Sequence, residues 1–241
     1  MRHHIITRIN VENDWINVRG CGRVRDRMAL KRFDREYLEH RLELFERFTV
    51  PSIAGQTDQK FYWEVLIHPD TDKDLIEKFT VATKKAPRGR VRILKRDRDI
   101  GRLLRVKAWG TTTNLDSDDA ISCDFVESIK KVVTEEPERA YAVSFDCGYH
   151  FSLRSNQAVA RRSPTNAYNT LVEPCTLPLT ICALPHGNVE QYFKVIHIKG
   201  PPMWLQVVHD LNIENHKIRH SKKSVDIQVP EIQKRFKIYD R

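Results

Sequence analysis

Four acidic residues fall within nine positions of the segment NLDSDDAISCDF, residues 114–125. They are Asp116, Asp118, Asp119 and Asp124. Carboxylates this close in sequence repel one another, so ionising all of them costs free energy unless a cation or hydrogen-bond donors compensate. Replacing Asp118 with Asn is therefore expected to leave stability without metal unchanged or slightly higher. The cluster is either a solvated surface or a binding site for a metal ion.

The spacing in Asp116-Ser117-Asp118 suits a divalent cation. Both carboxylates can reach one ion and its waters, and Mg²⁺ or Mn²⁺ accepts such a partial protein shell because phosphate oxygens supply the remaining ligands. The alternative is the solvated start of a helix, where the helix dipole favours Asp119 and Asp124. The elements around the cluster help to separate these two interpretations.

The first half of the chain alternates segments typical of strands with segments typical of helices. Strands are predicted at 4–9, 61–67, 90–94 and 111–115, and helices at 34–48, 72–84, about 99–109 and from Ser122 to before Pro137. Pro51 is expected to end the first helix. Repeated β-α-β units predict an α/β fold with a mixed, mainly parallel sheet flanked by helices. The acidic run begins where the fourth strand ends, and open α/β sheets bind ligands beyond the carboxyl ends of their strands, which favours the metal site.

The second half of the chain has shorter strands and longer connections. A strand broken by a turn near Gly148 is predicted at 141–151, and another strand at 192–198. The last residues, 216–241, are predicted to form a helix or a tail. We expect this half to complete the mixed sheet of a single domain, 1–241.

The composition indicates a globular protein with an anionic partner. The 241 residues carry a formal net charge of +9 and a pI near 9.4, which favours nucleic acid, a membrane surface or a phosphorylated small molecule. No apolar run approaches the ~20 residues that cross a bilayer. The five cysteines are odd in number and form no Cys-x-x-Cys pair, which predicts a reducing compartment and a cytoplasmic location.

Other proteins also use acidic residues in similar patterns. Phosphotransferases with a nucleophilic Asp carry Asp-x-Asp on the first strand, followed by Thr or Val, whereas this motif follows the fourth strand and Ala120 stands at that position. The EF-hand spacing fails because its Gly and distal Glu are absent. A basic nucleic-acid-binding protein is a further alternative, but no binding motif is recognisable and acids without metal would repel phosphates. Nucleotide-sugar transferases place Asp-x-Asp after the fourth strand, which fits best.

Blocks of sequence spread over about residues 5–215 resemble one family. They are Thr7-Arg8-Ile9-Asn10, Pro51-Ser52-Ile53 with Gln56, Phe61-x-Trp63, Leu115–Ala120 with Asp124-Phe125, Thr170–Glu173 and Trp204–Asn212. In these blocks the chain resembles the rhamnosyltransferase family, glycosyltransferases of the GT-A fold. The resemblance implies metal-dependent transfer of a sugar, rhamnose by the family's name, from a nucleotide-diphosphate sugar to a glycan or glycolipid acceptor. It implies Mn²⁺ or Mg²⁺ as cofactor, no nucleic-acid partner, and no transmembrane segment, with peripheral membrane contact still open.

The resemblance also implies a set of metal ligands. Asp118 is the first ligand, Asp116 is shared between the metal and the ribose, and Asp119 faces the sugar or the ribose. A histidine from the C-terminal part often completes the shell in this fold. His209 is preferred over His186, because an apolar strand delivers it to a polar loop.

Further roles follow for residues that would contact the nucleotide sugar. The half formed by residues 1–120 is expected to bind the donor. Thr7, Arg8 and Asn10 follow the first strand, where this fold seats the base and ribose. Arg105 is placed near the donor phosphates or ribose, because Arg presents a bidentate fork to such oxygens.

A general base is expected on the acceptor side, residues 121–215. An inverting transferase needs a base to take the proton of the acceptor hydroxyl. Glu173 is the candidate within the family's motif, and Asp146 is the alternative. A retaining enzyme would need no such base, and the sequence leaves the stereochemical outcome open.

Overall fold

The computed structural model describes residues 1–13, 31–104, 109–133, 137–174, 179–212, 226–227 and 229–238. The described strands are β1 (Arg2–Arg8), β2 (Tyr62–Ile67), β3 (Gly89–Ile93), β4 (Trp109–Asn114), β5 (Ala120–Ile121), β6 (Tyr141–Phe145), β7 (Cys147–Ser152), β8 (Gln157–Arg162), β9 (Thr170–Pro174), β10 (Lys194–Ile198), β11 (Trp204–Val208) and β12 (Asp226–Ile227). The described α-helices are α1 (Arg35–Leu44), α2 (Val50–Ala54), α3 (Lys73–Thr83), α4 (Ile100–Leu103), α5 (Phe125–Val132), α6 (Val189–Tyr192) and α7 (Val229–Phe236).

The larger sheet has seven strands in the order β10-β6-β9-β4-β1-β2-β3. Strands β4, β1, β2 and β3 run parallel to one another, as do β6 and β10, while β9 is antiparallel to both of its neighbours. Strands β1 and β2 are buried almost throughout, as expected of strands covered on both faces. The predicted mixed, mainly parallel sheet flanked by helices is confirmed. The carboxyl ends of β1, β2 and β4 therefore meet at one edge.

A second sheet, which the sequence patterns did not predict, has five strands in the order β12-β8-β7-β11-β5. The chain passes from β6 into β7 at Asp146, so the predicted break near Gly148 is displaced. Gly148 lies inside β7, where an added Cβ atom would stand 1.9 Å from the ring of Trp204. Glycine is needed there because the indole ring approaches the backbone of β7 closely.

Helix α1 begins after Asp34, whose side chain accepts a hydrogen bond from the backbone N–H of Tyr37 at 3.0 Å. The helical path does not stop at Pro51 as predicted. A π-helical segment, Phe45–Thr49, continues α1 into α2, and Pro51 lies in the first turn of α2, a position that proline tolerates.

Aromatic contacts fix this helical segment against the larger sheet. Phe45 stacks on Trp63 of β2 with ring centroids 5.2 Å apart, and it meets Phe79 of α3 edge-on at 5.4 Å. All three side chains are fully buried. Burying an aromatic side chain stabilises a fold by roughly 1.5–3 kcal/mol, so their packing holds α1 in position. This anchoring places α1 beside the acidic run.

The remaining predicted helices are found with adjusted bounds. Helix α3 matches the helix predicted at 72–84, and α7 lies in the segment predicted as a helix or tail. Of the helix predicted at about 99–109, α4 is the described part, and residues 105–108 lie outside the described residues. Among the described residues, no helix is both long and apolar enough to cross a bilayer.

Candidate functional site

Asp118 is the centre of the acidic run and meets partners from two other elements. Its Oδ2 lies 3.1 Å from Nε2 of His209, which follows β11. Its Oδ1 accepts a hydrogen bond from Arg41 of α1 at 3.3 Å. Burial raises the pKa of the Asp118 carboxyl, but the charge of Arg41 and the contact with His209 outweigh burial, so the pKa lies below its ordinary value. Asp118 is therefore a buried, ionised carboxylate.

Arg41 is a site residue that the sequence analysis missed. Its Nε donates to the hydroxyl of Ser117 at 2.9 Å, and one terminal nitrogen donates to the hydroxyl of Tyr37 at 2.8 Å. The sequence contained an indication of this role. Arg41 comes four residues after the buried Tyr37, so the two side chains share one face of α1, and an arginine there is unusual. A cation on the buried face of a helix needs a carboxylate partner, and Asp118 provides it.

Asp119 points into the fold and is held on both oxygens. Its Oδ2 accepts a hydrogen bond from the hydroxyl of Tyr168 at 2.7 Å, and its Oδ1 accepts one from the backbone N–H of Val207 at 2.8 Å. Burial, followed by the charges of Asp118 and Asp116, raises the pKa of Asp119 well above its ordinary value. These contacts give Asp119 a positioning role that ties the acidic run to β11, while direct contact with the sugar or ribose stays a prediction.

The four acids of the run contact different partners. Asp116 lies near the side-chain amide of Asn114, which donates to its Oδ1 at 3.3 Å. Asp124 immediately precedes α5, as predicted, and its Oδ1 lies 3.5 Å from Arg235. These separate contacts and Arg41 compensate part of the repulsion expected from the sequence, and the remaining repulsion from Asp118 and Asp116 contributes to the raised pKa of Asp119.

A small cleft opens beside Asp116 at the carboxyl ends of β1 and β4. It is open to solvent, and it combines charged, amide and apolar groups. The lining residues are Arg8, Asn114, Asp116, Ala167, Asn169, Ile181, Leu184, Pro185 and His186. Arg8 is held in the cleft by hydrogen bonds to Asp97 at 3.1 Å and to Asn114 at 3.3 Å. Arg8 therefore lies at the same edge of the sheet as Asp116, and its contact with a donor stays a prediction.

The other residues predicted near the first strand serve the fold. Thr7 is fully buried and accepts a hydrogen bond from the indole of Trp63 at 3.0 Å. Asn10 donates to the hydroxyl of Thr71 at 2.7 Å and accepts from the backbone N–H of His68 at 3.0 Å. Both residues brace the strand ends, and their contact with a donor stays a prediction. Arg105 lies outside the described residues.

Glu173 lies at the opposite end of β4 from Asp116 and Asp118, so its placement does not support the predicted role of general base, and that role stays a prediction. Strand β9 runs antiparallel to β4, and Glu173 pairs with Gly110 at the start of β4. Four residue steps along β4 separate Gly110 from Asn114, which is about 13 Å at the rise of a strand. The Glu173 carboxylate is buried and accepts hydrogen bonds from the backbone N–H groups of Leu179 at 2.9 Å and Thr180 at 2.8 Å. It anchors a loop at the opposite edge of the sheet.

Asp146 lies at the correct edge but is held by ion pairs. It follows β6, which runs parallel to β4 because both are antiparallel to β9. Its fully buried carboxylate accepts a hydrogen bond from Arg162 at 3.1 Å and lies 2.9 Å from Nδ1 of His197. A role for Asp146 as general base stays a prediction.

The residues around Asp118 fit a cation that is only partly coordinated by protein. Two neighbouring ligands that lie ~2.1 Å from one ion are about 3 Å apart, close to the 3.1 Å between Asp118 Oδ2 and His209 Nε2. His186 lines the cleft with Asp116 instead. Within the described residues, no group of three or more His, Cys, Asp or Glu side chains could hold a metal ion. Water or phosphate oxygens would have to complete the shell.

Comparison with known proteins identifies a family. A family model described as "Putative rhamnosyl transferase" matches residues 23–221. A search of curated proteins finds no significant match.

Two solved structures match this chain at low sequence identity. S. aureus TarS is 9% identical, with a TM-score of 0.47, over 87% of this chain and 37% of the TarS chain. A "putative nucleotide-diphospho-sugar transferase" from Desulfovibrio desulfuricans G20 is 11% identical, with a TM-score of 0.37, over 84% of this chain and 82% of that one. This chain spans little more than a third of the length of TarS.

Proposed function

Since this chain belongs to the rhamnosyl transferase family and is thus a glycosyltransferase, we propose that it moves rhamnose from a nucleotide-diphosphate donor to a glycan or glycolipid acceptor. We further propose that Mn²⁺ or Mg²⁺ binds beside Asp118. The observation that carries this proposal is the Asp118–His209 pair next to a cleft lined by Arg8 and Asp116. Transfer of the sugar to the acceptor would take place in the cytoplasm. If the acceptor is a glycolipid, it would take place at the cytoplasmic surface of a membrane.

The chemistry of a nucleotide-sugar donor explains why such an edge is suitable. Departure of the nucleoside diphosphate develops negative charge, and a bound divalent cation supplies Lewis-acid stabilisation of that leaving group. Asp118 and His209 are the residues that would hold the cation, and Asp116 lines the neighbouring cleft.

The two arginines have separate tasks in this scheme. Arg8 reaches into the cleft, where its guanidinium can orient donor phosphate or ribose oxygens by paired hydrogen bonds. Arg41 keeps Asp118 ionised and fixed, because it donates to both Ser117 and Asp118. Asp119, Tyr168 and Val207 hold the acidic run against the second sheet.

A thermal-shift panel tests the donor and the cation together. Nucleoside diphosphates and their sugar conjugates, with a rhamnose donor among them, would be added with Mn²⁺, with Mg²⁺ or with EDTA. A ligand that binds the native state raises the melting temperature by mass action. We expect a rise only when divalent metal is present, and the largest rise for a rhamnose donor.

The same panel separates the alternatives. Equal shifts in EDTA would contradict a cation that bridges Asp118 and the diphosphate. A shift by oligonucleotides alone, falling steeply with salt, would favour the nucleic-acid-binding alternative. Release of nucleoside diphosphate from the donor that gives the largest shift then tests whether the protein cleaves that donor.

A further inference from the structure

His40 of α1 contacts the side of His209 that faces away from Asp118. Nε2 of His40 lies 3.3 Å from Nδ1 of His209, and the two ring centroids are 5.0 Å apart with a tilt of 54°. His209 is buried, whereas 29% of the His40 side chain is exposed. The two histidines and Asp118 therefore form one chain of polar contacts that runs from the site to the surface.

The position of one proton decides what His209 can do. If His209 carries its proton on Nε2, it donates to Asp118 and has no lone pair for a cation. If the proton is on Nδ1, His209 donates to His40 Nε2, and the lone pair on its own Nε2 is free. In that second tautomer the Nε2 of His209 and the Oδ2 of Asp118 are two acceptors 3.1 Å apart, an arrangement that a cation between them would stabilise.

We propose that His40 is a positioning residue that accepts the Nδ1–H of His209 and so directs the Nε2 lone pair of His209 to a divalent cation beside Asp118. The inference rests on the proposed function, because it assumes the cation. Both histidines are neutral in this arrangement, so each ring carries one proton. His209 carries its one proton on Nδ1, and His40 carries its one proton on its own Nδ1, which leaves His40 Nε2 as the acceptor.

The surroundings of His40 favour this arrangement. Oε2 of Glu43 lies 3.9 Å from Nδ1 of His40, so a negative charge faces the nitrogen that has to carry the proton. The next residue along α1, Arg41, donates to Oδ1 of Asp118. Two consecutive residues of one helix thus contact the two proposed ligands, His40 on His209 and Arg41 on Asp118.

Binding of Mn²⁺ alone, measured by titration calorimetry on the full chain, tests the role of His40. We expect His40→Ala to weaken Mn²⁺ binding about 10- to 100-fold, the range typical for partners that orient a metal-bound histidine. His40→Gln should stay within about threefold of the wild type, because the Gln carbonyl can accept the same Nδ1–H. Glu36→Ala, an exposed change on the same helix, is the matched control and should bind Mn²⁺ as the wild type does.

A spectroscopic measurement gives a second, independent result. The ¹⁵N chemical shifts of the His209 ring with Mg²⁺ should report the Nδ1–H tautomer in the wild type and in His40→Gln. Because a cation on Nε2 places the proton on Nδ1 by itself, this measurement tests which nitrogen of His209 is the ligand, and the calorimetry on His40→Gln tests His40 even if His40→Ala fails to fold.

The outcomes separate this inference from the proposed function. Wild-type affinity in His40→Ala, together with lost binding in Asp118→Asn, would overturn the role of His40 and leave the cation site intact. An Nε2–H tautomer of His209 in the Mg²⁺-loaded wild type would overturn it as well. If the wild type binds no Mn²⁺, or Asp118→Asn binds it equally well, the metal site itself is refuted and the role of His40 is refuted with it.

Discussion

Asp118 and His209 are separated by 91 positions in the chain, yet Oδ2 of the one lies 3.1 Å from Nε2 of the other. Asp118 follows β4 of the larger sheet, and His209 follows β11 of the second sheet. The site therefore forms where the two sheets meet, with Arg41 of α1 as its third member. Several consequences of this geometry can be measured.

Asp118→Asn should abolish most of the transfer activity. The change removes one charged ligand at nearly constant volume, and we expect the transfer rate to fall on the order of 10²-fold or more. From the sequence, this substitution was expected to leave the metal-free stability unchanged or slightly higher. The structure leads us to expect a loss of stability instead, because the substitution leaves the buried Arg41 without its carboxylate partner. We expect the metal-free unfolding free energy to fall by about 1–3 kcal/mol, measured by urea denaturation.

Asp124→Asn is the matched control for this variant. Asp124 precedes α5 and faces Arg235, away from Asp118, so transfer should continue at close to the wild-type rate. Equal losses of activity in the two variants would show that the acidic run acts only through the fold.

Arg41→Met should destabilise the protein in a way that Mn²⁺ partly reverses. Without the guanidinium, the Asp118 carboxylate stays buried without a cation, which costs about 3–5 kcal/mol of unfolding free energy. Because a bound cation would replace that charge, Mn²⁺ should raise the melting temperature more in Arg41→Met than in the wild type. Arg35→Met breaks only exposed ion pairs of the same helix. It should therefore change the unfolding free energy and the Mn²⁺-induced rise in melting temperature only slightly. A smaller Mn²⁺ shift in Arg41→Met than in the wild type would contradict a cation at Asp118.

Glu173→Gln should alter the pH dependence of stability and leave transfer intact. Burial raises the pKa of Glu173 from its ordinary 4.5 to about 7, although two backbone N–H groups oppose it. The folded state then binds a proton that the unfolded chain releases, so the unfolding free energy of the wild type should fall as pH rises from 4.5 to about 7. The total loss is about 3 kcal/mol, since each pKa unit corresponds to about 1.4 kcal/mol.

Urea denaturation between pH 4.5 and 8 checks this expectation. The Gln variant lacks the titrating group, so its curve should be flatter over that window. A transfer rate that collapses in Glu173→Gln while the fold is retained would support Glu173 as the general base.

Tyr168→Phe tests the contact that turns Asp119 into the fold. The variant keeps the ring, which stacks on Trp204 with centroids 5.3 Å apart, and removes only the hydroxyl that donates to Asp119. We expect a loss of about 1–3 kcal/mol, because a buried carboxyl oxygen loses its partner. Tyr149→Phe, on a partly exposed ring of β7, serves as the control for removing a tyrosine hydroxyl. Identical melting temperatures for Tyr168→Phe and the wild type would show that the contact does not stabilise the fold.

Local patterns in the sequence were sufficient for the class of fold and for the place of the acidic run. Apolar periodicity repeats along the first half of the chain, and each repeat reports on neighbouring residues only. Since parallel strands bring their carboxyl ends to one edge, acids that follow the fourth strand had to lie at that edge, as Asp116 and Asp118 do. The family resemblance also rested on short local blocks, and the family-model match over residues 23–221 confirms it.

The direction of each side chain, by contrast, was decided by pairings between distant segments. Glu173 lies at the edge opposite the acidic run because β9 inserts antiparallel between β4 and β6, an order that no local pattern contains. Asp119 turns inward because β11 of a second, unpredicted sheet supplies a backbone donor to it. Arg41 and His40 become site residues because α1 packs beside the acidic run. Local sequence specifies the period and the ends of an element, whereas its neighbours are selected by burial and hydrogen bonding summed over the whole chain.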